Sequence, residues 1–109
     1  MAIEQMTPEA AELISRRFRA LAEPTRLQLL FELRERGEAS VGELTEALET
    51  SQQNVSKHLG TLSAEGFISR RKEKTRALYS ISDDGVLDLC DRVCSGIEAQ
   101  LTEIESLLS

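Results

Sequence analysis

The chain has 109 residues, is 40% hydrophobic and carries a formal charge of −6. Its length suits a single domain over residues 1–109 with a small core, and no apolar run is long enough to cross a bilayer. An acidic start, Met-Ala-Ile-Glu-Gln-Met, and only two cysteines argue against a secretory leader and a disulfide framework, which predicts a cytoplasmic protein with free thiols.

Residues 7–22 read as a first helix. Thr7-Pro8-Glu9 offers a cap, a proline for the first turn and an acid near the positive end. Leu13, Ile14, Phe18 and Leu21 form its apolar face. Glu23-Pro24-Thr25 interrupts it, because a residue before proline is pushed out of helical geometry. A second helix is predicted over residues 25–36, with Leu27, Leu30, Phe31 and Leu33 apolar and Gly37 as its stop. Ser40-Val41-Gly42-Glu43 is a capping box for a third helix, whose inner side is Val41, Leu44, Ala47 and Leu48.

Glu49-Thr50-Ser51 then turns into the most informative stretch, residues 50–66. Ser51 or Thr50 can cap a helix there, and Val55, Leu59 and Leu62 recur at helical spacing. Ser51, Gln52, Gln53, Asn54, Ser56 and Lys57 crowd its first two turns. Amide side chains pair with base edges, while Ser and Lys suit phosphates. Gly66 ends the helix. Two short helices joined by a tight turn, the second presenting amides, form the helix-turn-helix pattern.

After Gly66 the period becomes extended. Residues 67–71 and 77–81 read as two strands joined by Lys72-Glu73-Lys74-Thr75. Arg70, Arg71, Lys72, Lys74, Thr75 and Arg76 make a basic tip suited to phosphates or a minor groove. A lone hairpin is marginal in water, so this one must pack on the helices through Phe67, Ile68, Leu78 and Ile81. Ser82-Asp83-Asp84-Gly85 opens a last helix running to about Leu108, with Ser82 as the expected cap. Val86, Leu89, Cys90, Val93, Ile97, Leu101, Ile104 and Leu108 stripe one side of it. So small a core cannot cover a helix about 39 Å long, so the stripe predicts a homodimer through the first and last helices.

The charge is distributed to match. Residues 1–50 hold six basic and ten acidic side chains, residues 51–82 six and two, and residues 83–109 one and seven. The block nets are therefore −4, +4 and −6, and the positive block coincides with the amide-bearing helix and the hairpin. Acidic flanks discourage non-specific sticking without cancelling that local field.

Ala20-Leu-Ala-Glu-Pro-Thr-Arg-Leu-Gln-Leu-Leu30, Ser51-Gln-Gln-Asn-Val-Ser-Lys-His-Leu59 and Glu65-Gly-Phe-Ile68, followed by the basic hairpin, resemble the ArsR/SmtB family of bacterial repressors. The resemblance spans residues 13–82. It implies a winged helix-turn-helix, mainly α with a two-stranded β-hairpin, ordered as four helices, two strands and a helix. It also implies a dimer that binds a palindromic double-stranded operator and is released by an inducer, often a metal or metalloid. Recognition would fall on Gln52, Gln53, Ser56 and Lys57. The family's sensor sites are mostly missing: a Cys-x-Cys pair would fall on Ser40 and Gly42. Of four zinc ligands on the last helix only Asp83 matches, the others falling on Gly85, Gly96 and Ala99.

What remains is Cys90 and Cys94, four apart and therefore about 40° apart on one helix face. A soft ion such as As(III), Cd(II) or Zn(II) suits such a thiolate pair, with two more from a dimer mate. A disulfide between them is awkward, since β-carbons about 6 Å apart on an intact helix exceed the usual span of about 3.5–4.5 Å. Oxidation to a disulfide would bend or unwind the helix or link partner helices; that change, or persulfide or sulfenic acid chemistry, offers a signal. Both cysteines also border the apolar stripe and suit plain packing. All three readings stay open. The single histidine, His58, beside the Val55–Leu59–Leu62 stripe, reads as a packed residue or a phosphate contact. Without a glycine-rich phosphate loop or a nucleophile–histidine constellation, the chain reads as a non-enzyme, with a protein-binding winged module as the competing class.

Overall fold

A computed structural model of the chain describes residues 5–108; residues 1–4, where the acidic start was read, and residue 109 lie outside them. The elements are α1 (Pro8–Leu21), α2 (Pro24–Arg36), β1 (Ala39–Ser40), α3 (Val41–Leu48), α4 (Gln52–Ala64), β2 (Ile68–Glu73), β3 (Arg76–Ile81) and α5 (Asp84–Leu108).

Local chemistry accounts for most boundaries. Thr7 accepts the Ala10 amide at 3.1 Å and starts α1. Pro24 does not merely precede α2; it is its first residue, where a missing N–H costs nothing, and Glu23 caps it by accepting the Arg26 amide at 2.9 Å. The capping box of α3 is complete: Ser40 Oγ accepts the Glu43 amide at 3.2 Å, and Glu43 accepts the Ser40 amide at 3.0 Å. Ser51 caps α4 by accepting the Asn54 amide at 3.1 Å. Gly66, at φ 79°, turns the chain into β2, a conformation that favours glycine.

The sheet differs from the expected two-stranded hairpin. It has three strands in the order β1-β3-β2, with Ala39 opposite Tyr79 and Ser40 opposite Leu78. Two residues leave no readable period, and Ser40 also serves as a helix cap, so β1 exists only because β3 lies beside it. The hairpin is also longer than predicted. Glu73 pairs with Arg76, which leaves Lys74-Thr75 as a two-residue turn with Lys74 at φ 59°. At the start of α5, Asp83 replaces Ser82 as the cap: its Oδ1 accepts the Gly85 amide at 3.0 Å, while the Ser82 hydroxyl donates to Gly66 O.

The core is built from Leu29, Leu30 and Leu33 of α2, Leu44 of α3, and Val55, Leu59 and Leu62 of α4. Phe67, Ile68 and Val86 close it. Helix α2 turns a second apolar side, Leu27 and Phe31, toward α5. Beyond Val86, α5 leaves the body: Leu89 and Cys90 pack partly on the core, whereas Val93, Ile97, Leu101 and Ile104 are each more than half exposed. No helix among the described residues is long and apolar enough to cross a membrane.

Candidate nucleic-acid interface

Helix α4 has two sides with different chemistry. Val55, His58, Leu59 and Leu62 are buried, while Gln52, Gln53, Ser56 and Lys57 are exposed. The buried side settles which residues point outward, because four inward anchors in two turns fix the helix rotation. Asn54 is half-buried and donates its side-chain amide to Thr50 Oγ1 at 3.2 Å, bracing the turn. The Ser51 hydroxyl is occupied as the cap.

Other contacts hold α4 to α1. Arg16 Nε lies 2.8 Å from Glu65 Oε1, and Arg17 donates to Glu65 O at 2.6 Å while pairing with Asp83 at 3.0 Å. The Arg17 guanidinium also stacks over Phe67, 4.4 Å from the ring centroid. His58 is 6% exposed, with Nδ1 3.0 Å from Arg26 Nη1, so it packs inward and is no phosphate contact.

The hairpin sorts its cations by face. Cross-strand partners share a face, so Arg70 and Lys72 lie with Tyr79 and Ala77, on the side that packs on the helices. Arg71 lies on the other face opposite Leu78. There it holds both carboxylate oxygens of Glu38, at 2.6 and 2.7 Å, and Glu73 at 2.9 Å. These bonds raise the Arg71 pKa further and keep the Glu38 carboxyl below the usual carboxylate range. Arg76 lies 3.9 Å from Glu43. Lys57, Arg70, Lys72 and Lys74 are exposed and make no ion pair among the described residues. The sequence presents six alike cations; the partner of Arg71 stands at Glu38, beyond the reach of any local pattern.

The two thiols lie at an open apolar groove of about 390 Å³, lined by Phe18, Leu27, Phe31, Leu89, Val93 and Ile97. Cys90 is partly buried; burial and then Asp91 push its thiol pKa up. Cys94 is exposed and its thiol points to Glu98 at 3.8 Å. The nearby carboxylate Asp91 is taken by Arg34 at 2.9 Å. Among the described residues no three His, Cys, Asp or Glu side chains gather as a metal site. Asp83, the one match to a zinc ligand, is engaged as a helix cap and by Arg17.

A helix with a buried hydrophobic side and exposed amides, preceded by a capped helix and followed by a basic hairpin, defines a winged helix-turn-helix DNA-binding regulator. A helix-turn-helix domain family matches residues 21–71. The chain is 46% identical over 76 residues to the probable mercury resistance operon repressor of Streptomyces lividans, covering 69% of this chain and 59% of that protein. It is 31% identical over 84 residues to the arsenical resistance operon repressor of Bacillus subtilis, covering 77% of this chain and 80% of that protein. Among solved structures it is similar to the homodimeric winged helix-turn-helix domain of Mycobacterium bovis Mb0332, a possible ArsR-family regulator. The TM-score is 0.78 at 29% identity, over 94% of this chain and 95% of that one. The chain belongs to the ArsR/SmtB family of transcriptional repressors.

Proposed function

We propose that the chain is a dimeric repressor that reads a palindromic operator with Gln52, Gln53, Ser56 and Lys57 of α4. The observation that carries this is the two-sidedness of α4: its inner side is locked in the core and the outer side of its first two turns holds Gln52, Gln53, Ser56 and Lys57, groups that suit base edges and phosphates. Arg70, Lys72, Lys74 and Thr75 of the wing track the backbone alongside. Ser51 and Asn54 shape the turn, and Arg71 holds the wing in place. The exposed stripe of α5, with Leu13 and Phe18 of α1, supports dimerisation through those helices. Two recognition helices would then stand about one helical turn, roughly 34 Å, apart.

Replacing Gln53 and Ser56 with Ala should abolish operator binding and leave the dimer intact, measured by fluorescence anisotropy and light scattering. Unchanged affinity overturns the groove-facing assignment, and absence of any DNA binding by the wild type at low salt overturns the repressor reading itself.

The inducer reading rests on Cys90 and Cys94. A soft, thiophilic metal or metalloid fits them best, since they supply two sulfurs on one helix face and the described residues of one chain add no third ligand. A second copy seated on α5 would bring two more. Relatives named for mercury and arsenical resistance support this choice over oxidation, as does the raised Cys90 pKa, which slows thiolate chemistry. Binding must displace that proton, so the ion should act at lower concentration as pH rises. The reduced dimer is titrated with Hg(II), As(III), Cd(II), Zn(II) and a persulfide donor while DNA release is read. Release by the persulfide alone would favour sulfur sensing. A Cys90→Ser, Cys94→Ser double variant still released by the same ion would make the thiols packing residues.

A further inference from the structure

We infer that Arg26 and His58 are positioning residues that fix the angle of the recognition helix against the dimerisation helix, and so the half-site spacing the dimer accepts. The inference rests on the repressor reading above.

One guanidinium does the joining. Arg26 Nε donates to Ala20 O at 2.6 Å and Nη2 donates to Arg19 O at 3.2 Å, which also accepts the Ala22 amide, so it holds two carbonyls of the last turn of α1. Its third nitrogen, Nη1, reaches His58 Nδ1 at 3.0 Å on the inner side of α4. A guanidinium only donates, so Nδ1 accepts and the imidazole proton lies on Nε2. Glu23 Oε2, at 3.7 Å from Nδ1, is too far for a hydrogen bond; it accepts the Arg26 amide instead.

The position of this strut gives it its role. Arg16 and Arg17 already pin the C-terminal end of α4, at Glu65, to α1. One pinned end leaves a helix free to pivot. His58 lies near the middle of α4, so the Arg26 bond supplies the second fixed point and removes that freedom. Around it the helix packs through Val55, Leu59 and Leu62, whose apolar contacts are not directional. A pivot at α4 displaces the amides at its N-terminal end most, and those are the groups that must meet two half-sites at once.

The test uses the full chain and the tightest-binding duplex that the wild type selects from a random pool, with copies carrying one base pair inserted or deleted between half-sites. His58→Leu keeps bulk but removes the acceptor; His58→Asn keeps an acceptor oxygen near Nδ1. Arg26→Gln, at a half-buried site, removes the three-way bond should His58→Leu fail to fold. His58→Leu and Arg26→Gln should bind the selected duplex about tenfold more weakly, and their preference for it over the respaced copies should fall toward unity. His58→Asn should recover both affinity and preference. Variants that keep the wild-type spacing preference, or a His58→Asn protein that behaves like His58→Leu, overturn the inference while leaving the repressor reading intact. A wild type that selects no duplex overturns both.

Discussion

Helices α4 and α5 are both amphipathic, and they end in opposite situations. The inner side of α4 is covered by its own chain, down to 0% exposure at Val55, Leu59 and Leu62. The stripe of α5 is covered only at its start: Val86 is 3% exposed, but Val93 is 58%, Ile97 52% and Leu101 54%. A hydrophobic period therefore says that a helix has an inner face, and leaves open which molecule supplies the cover. For function the contrast divides the work. The surface proposed to read DNA is complete in one chain; the distance between two such surfaces, and the surroundings of Cys90 and Cys94, depend on what meets α5.

The largest effect should come from breaking that cover. Ile97→Asp puts a carboxylate in the middle of the exposed stripe and should convert the dimer to monomer. Losing the second recognition helix should then weaken operator binding by roughly 100-fold or more. Leu59→Ala, on α4, should instead cost about 2–5 kcal/mol of folding stability at every protein concentration. The wild type should melt at lower temperature on dilution, because a dimer's stability includes its association. Sedimentation, anisotropy and melting at two concentrations separate the cases. An Ile97→Asp protein that remains dimeric would erase the contrast between the helices.

The same contrast recurs at smaller scale within the hairpin. Arg71 is satisfied inside the chain by Glu38 and Glu73, whereas Lys72, one residue on, has its charge free for another molecule. Lys72→Ala should lower the slope of log affinity against log salt by about one and leave stability within about 0.5 kcal/mol. Arg71→Ala should lower the melting temperature and leave the salt slope nearly intact. Acid adds a check. The Arg71 hydrogen bond depresses the Glu38 pKa in the folded state, so its stabilisation is complete above the ordinary glutamate pKa of about 4.3 and is lost as pH falls through the folded value. Glu38→Gln should flatten the loss of stability below that pH in urea melts. An Arg71→Ala protein with a reduced salt slope and unchanged stability would make Arg71 a phosphate contact after all.

What was legible in the sequence was what neighbours in the chain decide. The Ser40–Glu43 capping box, the Ser51 cap and the outward amides of α4 all follow from spacings of three or four residues. The unread features need partners far along the chain. Ala39-Ser40 is a strand only beside Tyr79 and Leu78, and Arg71 differs from Lys72 chiefly through the two bonds it makes to the distant Glu38. His58 could be placed near the buried stripe, but its bond to Arg26 spans 32 positions. Ser82 was the cap expected from the sequence; the close approach of Gly66 O took its hydroxyl and left Asp83 to cap α5. The thiol pair was visible at once, and its apolar setting emerged only when Phe18, Leu27 and Phe31 were brought against it.

The smallest expected effect sits at two residues that share a strained backbone. Lys74, at the wing turn, has φ 59°, and Glu49, in the turn before α4, has φ 53°. A side chain there crowds the following carbonyl, costing about 1–2 kcal/mol, and Asn tolerates the position better. Lys74→Asn and Glu49→Asn should therefore each gain about 0.5 kcal/mol in denaturant melts. Their effects on DNA should diverge. Lys74→Asn removes a wing cation and should weaken operator binding a few-fold with a shallower salt slope. Glu49→Asn removes an acid beside the reading helix and should bind as tightly as wild type or slightly tighter. If Lys74→Asn gains stability and keeps full affinity, the wing tip is a solvated turn, and the free cations of the hairpin narrow to Arg70 and Lys72.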